Sequence, residues 1–130
     1  MVDIGGGMGA QHILVVEDDQ VIARLIGRGF VRLGYEVRVV TSCAEARAVA
    51  GEFRCGVFDI ELSDGDGVEL ALALLAKGSI RAVVFYTGSL DSDARRRAVE
   101  VGRVVDKLSP FNDLGCQVIE LVSGKPMGKA

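Results

Sequence analysis

The sequence predicts an α/β fold, a doubly wound five-stranded parallel sheet with five helices on its two faces. Five short apolar runs rich in valine recur along the chain, and an amphipathic segment follows each of them. The runs mostly lack polar alternation, as expected of strands covered on both faces. The 130 residues, 49% of them hydrophobic, are enough for one domain with its own core.

The five predicted strands are these apolar runs, and we expect all of them to be buried. Because a helical segment separates each run from the next, the strands should be parallel and joined by crossovers. The runs are ILVV (13–16), EVRVV (36–40), CGVFD (55–59), AVVFY (82–86) and RVVDK (103–107).

The helices are predicted from apolar spacing and from residues that begin or end helices. Gly34 ends the first helix, and Ser42 caps the second, with Glu45 three positions on completing a capping-box pattern. The third helix is expected from Val68 to Lys77 and the fourth from Asp91 or Ser92. Apolar residues of the fifth are Leu114, Val118, Leu121 and Val122.

Charge and cysteine content narrow the class of protein. The formal net charge of -3 argues against direct nucleic-acid binding, which normally needs a basic face. Three widely spaced cysteines suggest neither a disulfide framework nor a thiolate metal site. No apolar run is long enough for a membrane span, and the N-terminus lacks the apolar core of a signal peptide. We therefore expect a cytoplasmic protein.

The predicted domain organisation is simple. Four of the first eleven residues are glycine, so residues 1–11 are expected to be a flexible segment. Residues 12–123 form the predicted domain, and residues 124–130 are a C-terminal tail.

Polar residues stand where four of the five predicted strands end. Glu17 and Asp18 follow the first strand, Asp59 ends the third, Thr87 follows the fourth and Lys107 ends the fifth. Each alone is common as a helix cap, loop residue or strand end. Open parallel sheets bind ligands at the carboxyl ends of their strands, so we expect the five side chains to converge there.

This set of side chains suits phosphoryl chemistry. Three clustered carboxylates are unfavourable unless a cation intervenes, and hard oxygen ligands without histidine or cysteine favour Mg²⁺. Thr87 offers a hydroxyl and Lys107 a mobile positive charge, both suited to phosphoryl oxygens. The sequence thus predicts a Mg²⁺-dependent phosphoryl-transfer site at this edge.

Four motifs, in this order, resemble the response-regulator receiver domain of two-component signalling. They are ILVVEDD, VFDIELSDGDG, VVFYTG and VVDK. The resemblance covers residues 12–123 and implies a flavodoxin-like sheet of order 2-1-3-4-5. It also implies a phosphoacceptor rather than a turnover enzyme, one that a sensor histidine kinase or phosphotransfer protein phosphorylates.

The resemblance implies a role for each site residue. Asp59 would be the nucleophile that accepts the phosphoryl group, Lys107 would pair with a phosphoryl oxygen, and Thr87 would hydrogen-bond another and relay the change. The implied Mg²⁺ ligands are Glu17, Asp18, Asp59 and the backbone carbonyl of Glu61.

Three residues depart from the family pattern. Ser63 stands where the phosphoacceptor loop usually has proline, and Leu108 follows Lys107 where a cis-proline is usual. Val104 replaces the usual aromatic residue three positions before the lysine. Without that ring, the signal is expected to pass from the loop 87–91 into the fourth helix, which could contact an unidentified downstream protein.

Two other functions stay open at this point. FDIELS superficially resembles the aspartyl-phosphate motif of haloacid-dehalogenase phosphatases, although Glu61 stands where that motif normally has aspartate. A degenerate receiver that only docks to a partner is the second alternative.

Overall fold

The computed structural model describes residues 12–124 as a parallel sheet between two layers of helices. The segment 1–11, predicted to be flexible, and residues 125–130 of the predicted tail lie outside the described residues. The sheet contains β1 (His12–Val16), β2 (Glu36–Val40), β3 (Cys55–Phe58), β6 (Val83–Thr87) and β7 (Arg103–Asp106). Their order is β2-β1-β3-β6-β7, so the predicted order 2-1-3-4-5 is confirmed.

Two further strands, β4 (Glu61–Leu62) and β5 (Gly65–Asp66), form a small antiparallel ribbon after β3. The sequence analysis did not predict this ribbon. It turns the chain back from the edge of the sheet and leads directly into the third helix.

Five helices complete the described part of the chain, as predicted. Their bounds are α1 (Gln20–Arg32), α2 (Cys43–Ala48), α3 (Gly67–Lys77), α4 (Ser92–Val101) and α5 (Phe111–Ser123). None of these helices combines the length and apolar character that crossing a bilayer requires.

Side-chain caps set several of the helix starts. Ser42 accepts a hydrogen bond from the N–H of Glu45 at 3.0 Å, as the capping-box pattern predicted. The reciprocal bond differs from that pattern, because Glu45 Oε1 accepts from the N–H of Thr41 at 2.7 Å and not from Ser42. Asp66 and Asp91 cap α3 and α4. Such caps satisfy backbone donors that lack intrahelical partners.

Each face of the sheet has its own hydrophobic core. On one face, Phe30 of α1 and Leu114 of α5 pack against the side chains of β1 and β3 that lie on that face. On the other, Leu70 and Leu74 of α3 pack with Phe58 and with residues of α2 and α4. The alternation of strand side chains between the two cores explains why the strands read as continuous apolar runs.

The prediction that all five strands are buried was wrong for the two edge strands, β2 and β7. In β2, Glu36, Arg38 and Val39 are exposed, while Val40 is buried. The neighbouring α2 has six residues and covers little of the strand. In β7, Val105 alone of the four residues is buried. Strands β1 and β3, with a partner on each side and helices on both faces, have the predicted burial.

Candidate functional site

Three carboxylates meet at the carboxyl edge of the sheet. Glu17 and Asp18 follow β1, Asp59 follows β3, and these neighbouring strands are in register, with Val16 opposite Phe58. One carboxylate oxygen from each acid lies within 4.8 Å of the others. Glu17 is 1% exposed and Asp59 is 9% exposed, so two of the charges are almost fully buried. Carboxylates buried this close together need nearby positive charge to offset their mutual repulsion and their loss of hydration.

Lys107 supplies one such charge. Its Nζ lies 2.7 Å from Glu17 Oε1 and 3.0 Å from Asp59 Oδ2. Burial raises the pKa of Glu17, and the hydrogen bond from Lys107 offsets part of that rise. Burial alone would lower the pKa of Lys107, but its bonds to Glu17 and Asp59 outweigh this and leave that pKa raised. Lys107 is therefore a persistent cation of the site.

The donor set fits a divalent metal ion. Three carboxylates and one ammonium leave a formal surplus of two negative charges. All the donors are hard oxygens, which suit Mg²⁺ better than softer metals. Glu17, Asp18 and Asp59 could each give one oxygen to such an ion.

Backbone N–H groups orient all three carboxylates. Asp19 donates to Glu17 Oε2 at 3.1 Å, and Glu61 donates to Asp59 Oδ1 at 3.4 Å. Ser63 donates to Asp18 Oδ2 at 2.8 Å. This last bond depends on the departure from the family pattern, because a proline at residue 63 has no N–H to donate.

Thr87 ends β6, next to β3, and is fully buried. Its hydroxyl accepts a hydrogen bond from the N–H of Ser89 at 3.0 Å. Ser89 in turn donates its own hydroxyl to Glu61 Oε2 at 2.9 Å. The side chain of Glu61 therefore bonds to the loop after β6. The metal ligand that the resemblance implied is the backbone carbonyl of Glu61, and not this side chain.

Two residues that position this site were missed by sequence reasoning. Gly67 approaches the site so closely that a Cβ there would overlap the carbonyl oxygen of Asp59. The Asp-Gly pair that ends the ribbon was a usable signal for this close approach. Ser89 had no signal beyond its place two residues after Thr87.

Three consecutive arginines on α4, Arg95 to Arg97, form hydrogen bonds or ion pairs within the chain. Arg95 turns back to the loop after β6, where its Nε donates to the carbonyl of Ser89. Arg96 pairs with Asp93 one turn earlier, and Arg97 pairs with Asp66 at the end of the ribbon. Each of the three therefore already has an acceptor within the chain.

Comparison with known proteins gives a consistent result. The family model of the response regulator receiver domain matches residues 13–114. The aerobic respiration control protein ArcA of Escherichia coli K12 is 30% identical over 107 residues, which cover 81% of this chain and 44% of that protein. The transcriptional regulatory protein PcoR of Escherichia coli is 27% identical over 104 residues, which cover 78% of this chain and 46% of that protein. The chain thus spans about half the length of the curated relatives it matches.

A solved structure supports the fold. The CheY-like response regulator receiver domain protein of Methanospirillum hungatei superposes with a TM-score of 0.76 at 23% identity. The superposition covers 89% of this chain and 96% of that one. At this identity the likeness concerns the fold.

Proposed function

This chain belongs to the response regulator receiver domain family of two-component systems, and we propose on that premise that it accepts a phosphoryl group on Asp59 with the help of Mg²⁺. A sensor histidine kinase or phosphotransfer protein would supply the group. The proposed receiver domain spans residues 12–123. The observation that carries the proposal is the contact of Lys107 with Asp59 beside two further carboxylates.

Asp59 is the proposed nucleophile. One of its oxygens would form a bond to phosphorus as the bond from phosphorus to the donor nitrogen breaks, and that nitrogen would keep the electron pair. Its place directly after a fully buried strand gives the carboxylate a rigid base. Bonds from Glu61 N–H and from Lys107 restrict both of its oxygens, which favours one orientation.

The proposed metal ligands are the side chains of Glu17, Asp18 and Asp59 and the backbone carbonyl of Glu61. When bound, Mg²⁺ would supply positive charge to the phosphoryl oxygens. Support comes from the clustered oxygens and from their surplus of negative charge. The acids around Asp59 would otherwise repel an anionic donor.

Lys107 and Thr87 are the proposed partners of the transferred group. Lys107 would exchange part of its ion pair with Asp59 for a phosphoryl oxygen, a change that its flexible stem allows. The hydroxyl of Thr87 would donate to another oxygen. Because Thr87 is tied to Ser89, its movement would shift the loop 87–91 and then α4, which would face an unidentified downstream protein.

A cytoplasmic location completes the proposal. The described residues include all three cysteines, Cys43, Cys55 and Cys116, and each is free. Free thiols are ordinary in a reducing compartment.

Intact mass spectrometry tests the proposal. After incubation with acetyl phosphate and Mg²⁺, the chain should gain the mass of one phosphoryl group, and the gain should disappear when a chelator replaces Mg²⁺. A phosphatase would instead release many equivalents of phosphate from a phosphomonoester such as p-nitrophenyl phosphate. A docking-only receiver would do neither. Either of these two results would refute the proposed function.

A further inference from the structure

Arg95 bridges three segments that surround the proposed phosphorylation site. From the first turns of α4, its Nε donates to the carbonyl oxygen of Ser89 at 2.6 Å. Its Nη2 donates to Asp106 Oδ2 at 3.1 Å and contacts the carbonyl oxygen of Thr87 at 3.4 Å. The Arg95 side chain is 30% exposed, so these bonds are partly shielded from water. One guanidinium thus joins α4, the loop after β6 and the end of β7.

The partners of Arg95 are tied to Thr87 and Lys107, the two proposed partners of the transferred group. The carbonyl of Thr87 also accepts the N–H of Lys107 at 3.0 Å. Asp106 directly precedes Lys107 and accepts the N–H of Leu108 at 2.8 Å, which fixes its carboxylate at the strand end. Arg95 therefore contacts the backbone at Thr87 and the residue next to Lys107.

Hydrogen bonds link the loop after β6 to Arg95, so movement of this loop would alter the contacts of Arg95. The hydroxyl of Thr87 accepts from Ser89 N–H, and the hydroxyl of Ser89 donates to Glu61. If Thr87 turned to donate to a phosphoryl group on Asp59, the bond to Ser89 would change. The carbonyl of Ser89 would then shift relative to Arg95, which holds it from α4.

Val104 stands where the family pattern has an aromatic residue, so movement of a ring at this position is not a route for the signal. Val104 is partly buried and packs against the core that contains Ala94 and Ala98 of α4. A valine has no ring that could exchange between buried and exposed positions. Arg95 lies on the same helix as Ala94 and Ala98 and directly contacts the loop 87–91.

We propose that Arg95 is a positioning residue that couples the loop 87–91 to α4, so that exchange of its hydrogen bonds carries the phosphorylation signal. This inference rests on the proposed function, because it needs a phosphoryl group on Asp59. A guanidinium is suited to the role, since its planar fork can donate to a carbonyl and a carboxylate at once.

The test uses beryllofluoride with Mg²⁺ as a phosphate mimic and follows backbone amides by NMR. Arg95→Gln removes the fork, and Arg95→Lys keeps the charge without it. Arg96→Gln is the matched control, because the Arg96 side chain is 70% exposed and pairs with Asp93 of the same helix. Hydrogen exchange of α4 is measured first in each variant to establish that the helix is formed.

In the native chain and in Arg96→Gln, beryllofluoride should perturb both residues 59–67 and the amides of α4. In Arg95→Gln and Arg95→Lys, the perturbation at 59–67 should remain while that of α4 falls to the level of remote strand β2. This split between the site and the helix is a readout that a merely structural role would not produce.

Five results would overturn the inference. The first is a native chain that responds at residues 59–67 and not in α4. The others are an undiminished α4 response in Arg95→Gln, a native response in Arg95→Lys, an equal loss in Arg96→Gln, and an α4 that has lost exchange protection before beryllofluoride is added. A native chain with no response at residues 59–67 is distinguishable from all five, because it would refute the proposed function itself and this inference with it.

Discussion

The Nζ atom of Lys107 lies 3.0 Å from Asp59 Oδ2, although the peptide that follows Lys107 is trans and leads to Leu108. The family pattern has a cis-proline after this lysine. The flexible stem of lysine accommodates the difference. Two anions, Glu17 and Asp59, hold the ammonium in place.

Asp59→Asn should abolish the mass gain from acetyl phosphate, because the isosteric amide keeps the shape of the side chain and is not a nucleophile. Asp64→Asn is the control, since Asp64 is an exposed acid of the same segment that binds the N–H groups of Cys43 and Ala44. It should label as the native chain does. Full labelling of Asp59→Asn would show that Asp59 is not the phosphoacceptor.

Asp18→Ala should remove Mg²⁺-dependent labelling, because it deletes one of the three clustered oxygen donors. The variant should stay folded, since Asp18 is only partly buried. Circular dichroism checks the fold, and intact mass with and without Mg²⁺ checks the labelling. If Asp18→Ala still labels better with Mg²⁺, the ligand set is wrong.

Gly67→Ala should destabilise the chain by about 1–3 kcal/mol, the usual cost of overpacking. The added methyl would overlap the carbonyl oxygen of Asp59, so the backbone must move. Urea unfolding measures the cost. Gly88→Ala is the control, because its Cβ would meet only Lys107 Cδ, at an ordinary 3.9 Å. Equal stability of the two variants would contradict the expected clash.

Alkylation of the folded protein should modify Cys116 well before the other two cysteines. Burial raises the pKa of Cys43 to about 11 and that of Cys55 to about 12. A raised thiol pKa means less thiolate, so at pH 8 only about one in a thousand Cys43 side chains is reactive. Iodoacetamide followed by peptide mass mapping should find one early adduct. Early labelling of Cys55 would contradict this prediction and would show that β3 opens readily.

Val104 should be a minor participant in the response to phosphorylation. Beryllofluoride with Mg²⁺ should perturb amides of residues 87–101 far more than that of Val104, and Val104→Ala should leave the α4 response in place. Both are measured by amide NMR shifts. Perturbation confined to residues 59–67 would show that this receiver does not signal through α4.

Much of the fold follows from patterns that are local along the chain. Short valine-rich runs, each followed by a helix, predict a parallel sheet, and the structure confirms its order and its five helices. The rule that carboxyl ends of parallel strands share one edge predicted that five side chains would meet. Glu17, Asp18, Asp59 and Lys107 lie together, and Thr87 ends the neighbouring β6. Their chemical roles stay predictions.

Burial could not be predicted equally well for every strand. The residues of β2 have the same β-branched character as those of β1, but β2 has a neighbour on one side and a short helix beside it. Strand propensity reports how well a residue fits a pleated surface, and not where the strand lies in the sheet.

The sequence by itself determined which chemical groups stand at the strand ends, because strand ends and helix caps are marked by nearby residues. Only the tertiary structure decided how those groups connect to the rest of the molecule. The bond of Ser89 to Glu61 joins residues 28 positions apart, and Arg95 reaches Asp106 across 11 positions between two elements. No local periodicity encodes such bonds, since they depend on which side chains packing brings within about 3 Å of each other.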